Sequence, residues 1–199
     1  MTADAPTWEP WTTYYNSVGQ GLGMDTSVAD DGLDVQLTLT GFTLEVGDNA
    51  PLAGAVGLAG ELSASIPEKF DLRGFRLAVN CIVDKSFEAA ALLTCSIGTA
   101  TYTREWPRRE TLELSSRRSS RTEKRRPDRQ GEALGDFLDD FTAICFMEDG
   151  NPANLGDPRA HPPLAPFPIT LGMQARCQTA DQFVFMQVSS IDVALTRSS

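Results

Sequence analysis

The residues that could do chemistry are few, and the first to consider is a single histidine. His161 is the only histidine in the 199 residues, so a three-histidine metal site is excluded by count. A Ser-His-Asp or Cys-His arrangement would have to use this residue. It stands in a His-Pro-Pro sequence within a proline-rich stretch, where no neighbour orients an imidazole. We interpret His161 as a surface residue, and no nucleotide-binding glycine motif is present either.

Adjacent carboxylates are the second candidate for catalysis. The pairs Asp30-Asp31, Asp139-Asp140 and Glu148-Asp149 contain the residue types that serve as the acid and base of a glycosidase. Adjacent residues on a strand point to opposite faces, however, so such a pair does not by itself face one cleft. A carbohydrate-active hydrolase that uses paired carboxylates is therefore kept as an alternative function.

A glycine-containing loop holds the residues that could bind a metal. It places four oxygen-bearing side chains close together, namely Asp149, Asn151, Asn154 and Asp157. Calcium prefers ligands of this kind, although the spacing does not match an EF-hand. The alternative is that these residues form Asx turns. Calcium is the one cofactor that the sequence suggests.

Four cysteines bear on the compartment: Cys81, Cys95, Cys145 and Cys177. An even number suits two disulfides in an oxidising environment, whereas buried free thiols are the alternative. The first residues show neither a basic start nor an apolar stretch, so no signal peptide is visible. We expect a secreted protein if the cysteines are bridged and a cytoplasmic one otherwise. No apolar run approaches the length of a membrane span.

Aromatic residues crowd the start of the chain, where Trp8, Trp11, Tyr14 and Tyr15 fall within eight residues. Exposed aromatic rings there could bind a carbohydrate or fill a groove on a partner protein. The alternative is that they pin a terminal strand to the core.

A basic segment interrupts an otherwise acidic chain. Ten basic and five acidic residues lie between Arg104 and Arg129, a net charge of +5, which leaves −15 for the remainder of a chain whose total is −10. The basic patch consists of Arg117, Arg118, Arg121, Lys124, Arg125 and Arg126. With few apolar residues, residues 107–131 are predicted to be a mobile insert. The overall charge argues against nucleic acid as a partner.

Two-residue periodicity dominates the rest of the chain and predicts strands. Phe75 to Val83 and Ala91 to Ile97 alternate around a break near Lys85, which we interpret as an antiparallel hairpin within the stretch from Phe70 to Ile97. That hairpin would set Cys81 beside Cys95. The alternation changes phase at Gly41, as in a β-bulge.

The segment after the insert has two interpretations. Leu134, Phe137, Leu138 and Phe141 follow helical spacing, whereas residues 141–147 alternate like a strand. Altogether we predict one all-β domain over residues 1–199, an antiparallel β-sandwich or jelly roll of seven to nine strands with at most one short helix.

Two groups of motifs resemble a family of small secreted β-sandwich proteins of unknown function from fungi and bacteria. The first group is Asp-Asp-Gly at 30–32, Phe-Thr-Leu-Glu-Val-Gly at 42–47 and Ser-Ile-Pro-Glu-Lys-Phe at 65–70. The second is Ser-Ser-Ile-Asp at 189–192. The resemblance implies an all-β, extracellular protein and supplies no catalytic residue.

The leading hypothesis for function is a non-enzymatic binding or structural module, secreted or associated with the cell envelope. Its partner would be a protein or a carbohydrate. A subunit of a homo-oligomer, docking through strand edges or the aromatic N-terminus, is the third hypothesis.

Overall fold

A computed structural model describes residues 5–19, 21–67, 69–106, 136–139, 147–150 and 165–197. In chain order the strands are β1 (Thr7–Trp8), β2 (Thr12–Asn16), β3 (Gly23–Val28), β4 (Asp34–Thr40), β5 (Thr43–Gly47), β6 (Ala53–Ser65), β7 (Leu72–Ser86), β8 (Ala90–Ile97), β9 (Ala100–Trp106), β10 (Asp136–Asp139), β11 (Met147–Gly150), β12 (Ala165–Arg176) and β13 (Phe183–Arg197). The described part of the chain contains no helix.

These strands form two antiparallel sheets that pack face to face, which confirms the predicted all-β sandwich. Sheet A has the order β1-β6-β12-β8-β9, with β2 also paired to β6. Sheet B has the order β10-β7-β13-β4-β3, with β11 paired to β7 and β5 to β13. The thirteen strands exceed the predicted seven to nine, because several of the additional ones are short pieces that share a long neighbour.

The core consists of the residues at alternate positions of the long strands. In β7 these are Phe75, Leu77, Val79, Cys81 and Val83, each at most 2% exposed. Alternate burial is the expected result of strand geometry when one face of a sheet meets another sheet. The two-residue periods in the sequence therefore identified the inward-facing side chains correctly.

The predicted hairpin between β7 and β8 is wrong. The strand β7 lies in sheet B between β13 and the short strands β10 and β11, whereas β8 lies in sheet A between β12 and β9. The connection between them crosses from one sheet to the other, and its residues Phe87 and Ala89 are buried. Cys81 and Cys95 thus project into the core from different sheets.

Gly41 marks the predicted change of phase, but it separates two strands rather than forming a bulge within one. Its φ of 85° lies in the left-handed region that glycine adopts without strain. β4 and β5 on either side of it both pair with β13. The neighbour β13 also shifts register between Val188 and Ser190. In β13, as across β4 and β5, the buried residues therefore change between even and odd numbers at the same level of the sheet.

The helical interpretation after the insert is also wrong where the structure describes it. Asp136–Asp139 forms β10, which pairs with the end of β7 from Val83 to Ser86. The alternative strand over residues 141–147 lies outside the described residues except for Met147, which begins β11. In the described part of the chain, no helix could span a membrane.

Candidate functional site

The four N-terminal aromatic residues separate into two roles, and the two tryptophans belong to the core. Both are partly buried against it. The Trp8 ring lies 5.8 Å from the ring of Phe167, and its Nε1 donates to the Gly32 carbonyl at 2.9 Å. Trp11 lies over Gly60. For Trp8 and Trp11, the structure therefore agrees with the interpretation that aromatic residues pin the first strands to the core.

Tyr14 and Tyr15 have the other role, because their side chains are 59% and 53% exposed. The pairing of β2 with β6 shifts register between Thr13 and Tyr15, so Tyr14 is an extra residue in the strand. Tyr15 lies beside Gly57, where its Cε1 would be only 3.2 Å from a side-chain carbon at position 57. The Tyr15 ring therefore lies at the edge of the outer face of sheet A.

Beside Tyr15, the outer face of sheet A carries two rows of small uncharged side chains. The strand register aligns Ala59, Thr170, Ser96 and Thr101 in the first row and Gly57, Gly172, Thr94 and Thr103 in the second. The residues that alternate with them along the strands, such as Leu58, Leu171 and Leu93, are buried. The rows therefore face outward, and Tyr15 pairs with Ala59 at the end of the first.

Hydrogen bonds and a glycine join the strands within these rows. The hydroxyls of Ser96 and Thr170 bond to each other, and Thr94 Oγ1 donates to the Gly172 carbonyl at 3.4 Å. A side chain at position 172 would lie 2.9 Å from Thr94 Oγ1, so glycine is what fits there. Thr101, Thr103 and Thr170 are exposed.

Among the described residues of this outer face, charged side chains appear beyond the two rows. Glu61 pairs with Pro168 on one side, and Glu105 pairs with Leu92 on the other. Arg176 lies between Ala53 and Ala90 at the end of the sheet. We call the eight positions of the two rows, together with Tyr15, the hydroxyl face.

A separate cleft of about 560 Å³ lies at one end of the sandwich. Its lining consists of Leu52, Ala53, Glu88, Ala90, Arg176, Cys177 and Gln178. Glu88 is the only carboxylate among these lining residues, and it accepts a hydrogen bond from Gln182 Nε2 at 2.8 Å. The described lining of the cleft therefore does not supply the two carboxylates that a two-carboxylate hydrolase needs.

Buried polar groups stand next to this cleft. Lys85 is 3% exposed, and its Nζ donates to the Ala89 carbonyl at 2.9 Å and the Ser86 carbonyl at 3.2 Å. Burial raises the pKa of the Cys177 thiol, while the positive charge of Lys85 partly opposes that rise. A thiol with a raised pKa is less readily deprotonated and is therefore a weaker nucleophile.

The cysteines that the structure describes are not bridged to one another. Cys81, Cys95 and Cys177 are all buried, and no disulfide joins any two of them. Cys145 lies outside the described residues. Among the described residues, the pairing of Cys81 with Cys95 is therefore not formed.

The remaining predicted sites fall mostly outside the described residues. This applies to His161, to the basic patch and to the calcium ligands Asn151, Asn154 and Asp157, while Asp149 is described only as part of the β11 backbone. Asp30 and Asp31 are exposed, and Asp31 Oδ1 accepts the Leu33 N–H at 3.0 Å, as in an Asx turn. Among the described residues, no group of three or more metal-binding side chains occurs.

Comparisons with known proteins add no relatives, since no family model matches the chain and no curated protein matches it. The resemblance to small secreted β-sandwich proteins stays a prediction.

Sequence reasoning missed the hydroxyl face. A signal exists, because the outward positions of three separate strands carry hydroxyls, as in Thr94-x-Ser96, Thr101-x-Thr103 and Thr170. These pairs become one surface only when β12, β8 and β9 are known to be neighbours, which the local pattern does not reveal.

Proposed function

We propose that this protein is a non-enzymatic binding module whose ligand, a neutral polysaccharide chain, lies across the hydroxyl face. The observation that carries the proposal is that eight neighbouring outward positions hold no charge, in a chain with a net charge of −10. Exposed sheet faces are normally rich in charged residues, which keep proteins soluble. An uncharged flat face suits a ligand that is itself flat and uncharged.

The chemistry of the hydroxyl face matches sugar hydroxyls. A threonine hydroxyl both donates and accepts hydrogen bonds, as a sugar hydroxyl does. Four adjacent strands at a spacing of about 4.8 Å make each row roughly 14 Å wide, which offers several contacts to an extended chain. The exposed Tyr15 ring at the edge has an apolar face for stacking and a polar tip for hydrogen bonding.

Charge argues for this ligand over others. The hydroxyl face has no basic residue to hold a phosphate or a carboxylate, and the acidic chain would repel polyanions. A neutral polysaccharide meets neither obstacle. The resemblance to secreted β-sandwich proteins adds support for a role outside the cell or at its envelope.

The test is depletion binding to insoluble cellulose, chitin and xylan, with one substitution placed on either sheet. Thr103→Glu puts a charge in the hydroxyl face, whereas Thr38→Glu makes the same change at an exposed outward position of β4 in sheet B. We expect Thr103→Glu, which adds a charge, and Tyr15→Ala, which removes the aromatic ring, to weaken binding by about tenfold or more. Thr38→Glu should bind like the parent.

Failure to bind any of the three polysaccharides, or equal losses for both glutamate variants, would reject the proposal.

The same surface supports a second candidate, a homo-oligomer that packs two hydroxyl faces together. A flat uncharged face is self-complementary across a two-fold axis. Sedimentation velocity over a range of protein concentrations separates the candidates. A dimer that Thr103→Glu dissociates and Thr38→Glu leaves intact would favour the oligomer.

A further inference from the structure

Residues 5–16 form an aromatic arm that completes one edge of sheet A. β1 pairs with β6 through Thr7 and Trp8, and β2 pairs with β6 over a short stretch that a register shift interrupts. The arm also reaches sheet B, because the Trp11 N–H donates to Thr26 Oγ1 at 3.1 Å. It therefore closes the sandwich between β6 and β3.

The surface beneath the arm provides space for one tryptophan ring and a hydrogen-bond acceptor for the other. Trp11 fills a hollow that exists because position 60 has no side chain. Gly32 has a φ of 71°, and a side chain there would overlap the Pro6 carbonyl. The Gly32 carbonyl in turn accepts the Trp8 indole N–H. Gly32 and Gly60 both lie in residues 23–197, which we call the body.

Two glycines lie in the linker between the arm and the body. Gly19 and Gly21 have φ values of 73° and 102°. A side-chain carbon added at either would meet no atom within 4 Å, although the Gly21 carbonyl lies against Gly41. Local hydrogen bonds hold the start of the linker, from Asn16 Nδ2 to the Gly19 carbonyl at 3.2 Å and from the Val18 N–H to Asn16 Oδ1 at 2.8 Å. Ser17, which bonds to Gly57, and Val18 and Leu22, which pack against the core, flank these glycines. The glycines are therefore the positions at which the linker can extend while those contacts are kept.

From these observations we propose that the aromatic arm exchanges between two copies of this chain, so that each arm seats on the β6 edge of the other copy. All contacts of the arm with the body form equally in both arrangements, and only the glycine linker differs. The closed monomer is favoured at low concentration by the high effective concentration of a tethered arm. The exchanged dimer is favoured as protein concentration rises or the linker becomes too short.

The experiment uses a disulfide that reports which copy supplies the arm. Thr7 and Ser65 are register partners in β1 and β6, and directly opposed residues of antiparallel strands come close enough for a disulfide. The pair Thr7→Cys and Ser65→Cys is introduced with Cys145→Ser in the full chain. The reduced protein is equilibrated at several concentrations, diluted and oxidised, and then run on a non-reducing gel.

The proposal predicts two results. The covalent dimer should rise at least fivefold between the lowest and highest concentrations. Deleting residues 19–21, a loss of roughly 10 Å of reach, should make it the main product at every concentration. The control pair Ser27→Cys and Gln36→Cys, register partners within the body and away from the hydroxyl face, should give intrachain bonds only.

The proposal is wrong if the Thr7→Cys/Ser65→Cys protein forms only intrachain disulfides at every concentration. This outcome decides the proposal even if the deletion variant does not fold. The result does not depend on the ligand of the hydroxyl face.

Discussion

The indole ring of Trp11 lies directly over Gly60, in the space that any larger side chain at position 60 would occupy. This contact joins the aromatic arm to the inward side of β6. Gly60 is buried, and Trp11 is partly buried against the core.

The first prediction concerns this contact. Gly60→Ala should lower the free energy of unfolding by about 1–3 kcal/mol, because overpacking a filled space forces neighbours to shift. Urea denaturation measures the change. In a Trp11→Ala background the same substitution should have a much smaller effect, since coupled residues are not additive. An equal loss in both backgrounds would show that Trp11 is not the obstacle.

The second prediction compares the two tryptophans. Trp11 Nε1 is buried without a hydrogen-bond partner among the described residues, whereas Trp8 Nε1 donates to Gly32. Replacing each by phenylalanine removes a donor that is unsatisfied in one case and used in the other. Trp8→Phe should therefore destabilise the protein by about 1 kcal/mol more than Trp11→Phe. The reverse order in matched denaturation curves would contradict this account.

The third prediction concerns alkaline pH. Burial raises the pKa of Cys177 above its ordinary value of 9.0, so the unfolded chain loses this proton before the folded protein does. The stabilisation is complete below pH 9.0 and is lost as pH rises through the folded pKa. As the pH rises through 9.0, the stability of the parent should fall more steeply than that of Cys177→Ala. Parallel curves would show that Cys177 does not titrate differently in the two states.

The fourth prediction is a count of reactive thiols. Cys81, Cys95 and Cys177 are 2%, 1% and 3% exposed, so they should react slowly with a thiol reagent in the native protein and rapidly in denaturant. Peptide mapping of the labelled protein identifies each site. Fast native labelling at any of the three would mean that the core opens far more readily than its packing indicates.

The fifth prediction concerns a polar network on the outer face of sheet B. Asp192 accepts hydrogen bonds from Asn80 Nδ2 and Gln36 Nε2, each at 2.7 Å. Asp192→Ala should lower the free energy of unfolding by about 1–2 kcal/mol, since two hydrogen bonds to a charged acceptor are lost. Asp34→Ala, at an exposed position of β4, is the matched control and should have little effect.

Much of the core could be read from the sequence, because inward side chains recur at every second residue. The alternation of Val35, Leu37 and Leu39, and the change of phase at Gly41, both appear as predicted. What failed was the pairing of β7 with β8. The buried residues continue at odd numbers from β7 through Phe87 and Ala89 into β8. This pattern is compatible with a connection between two sheets as well as with a hairpin within one sheet.

The sequence by itself determined that the chain forms strands and which residues of those strands face inward. Each of these follows from local geometry, since the direction of a side chain depends on its own backbone. Only the tertiary structure decided which strands are neighbours, and therefore that hydroxyls from β12, β8 and β9 form one face. Strand partners are chosen by packing between residues far apart in the chain, and no local period records that choice.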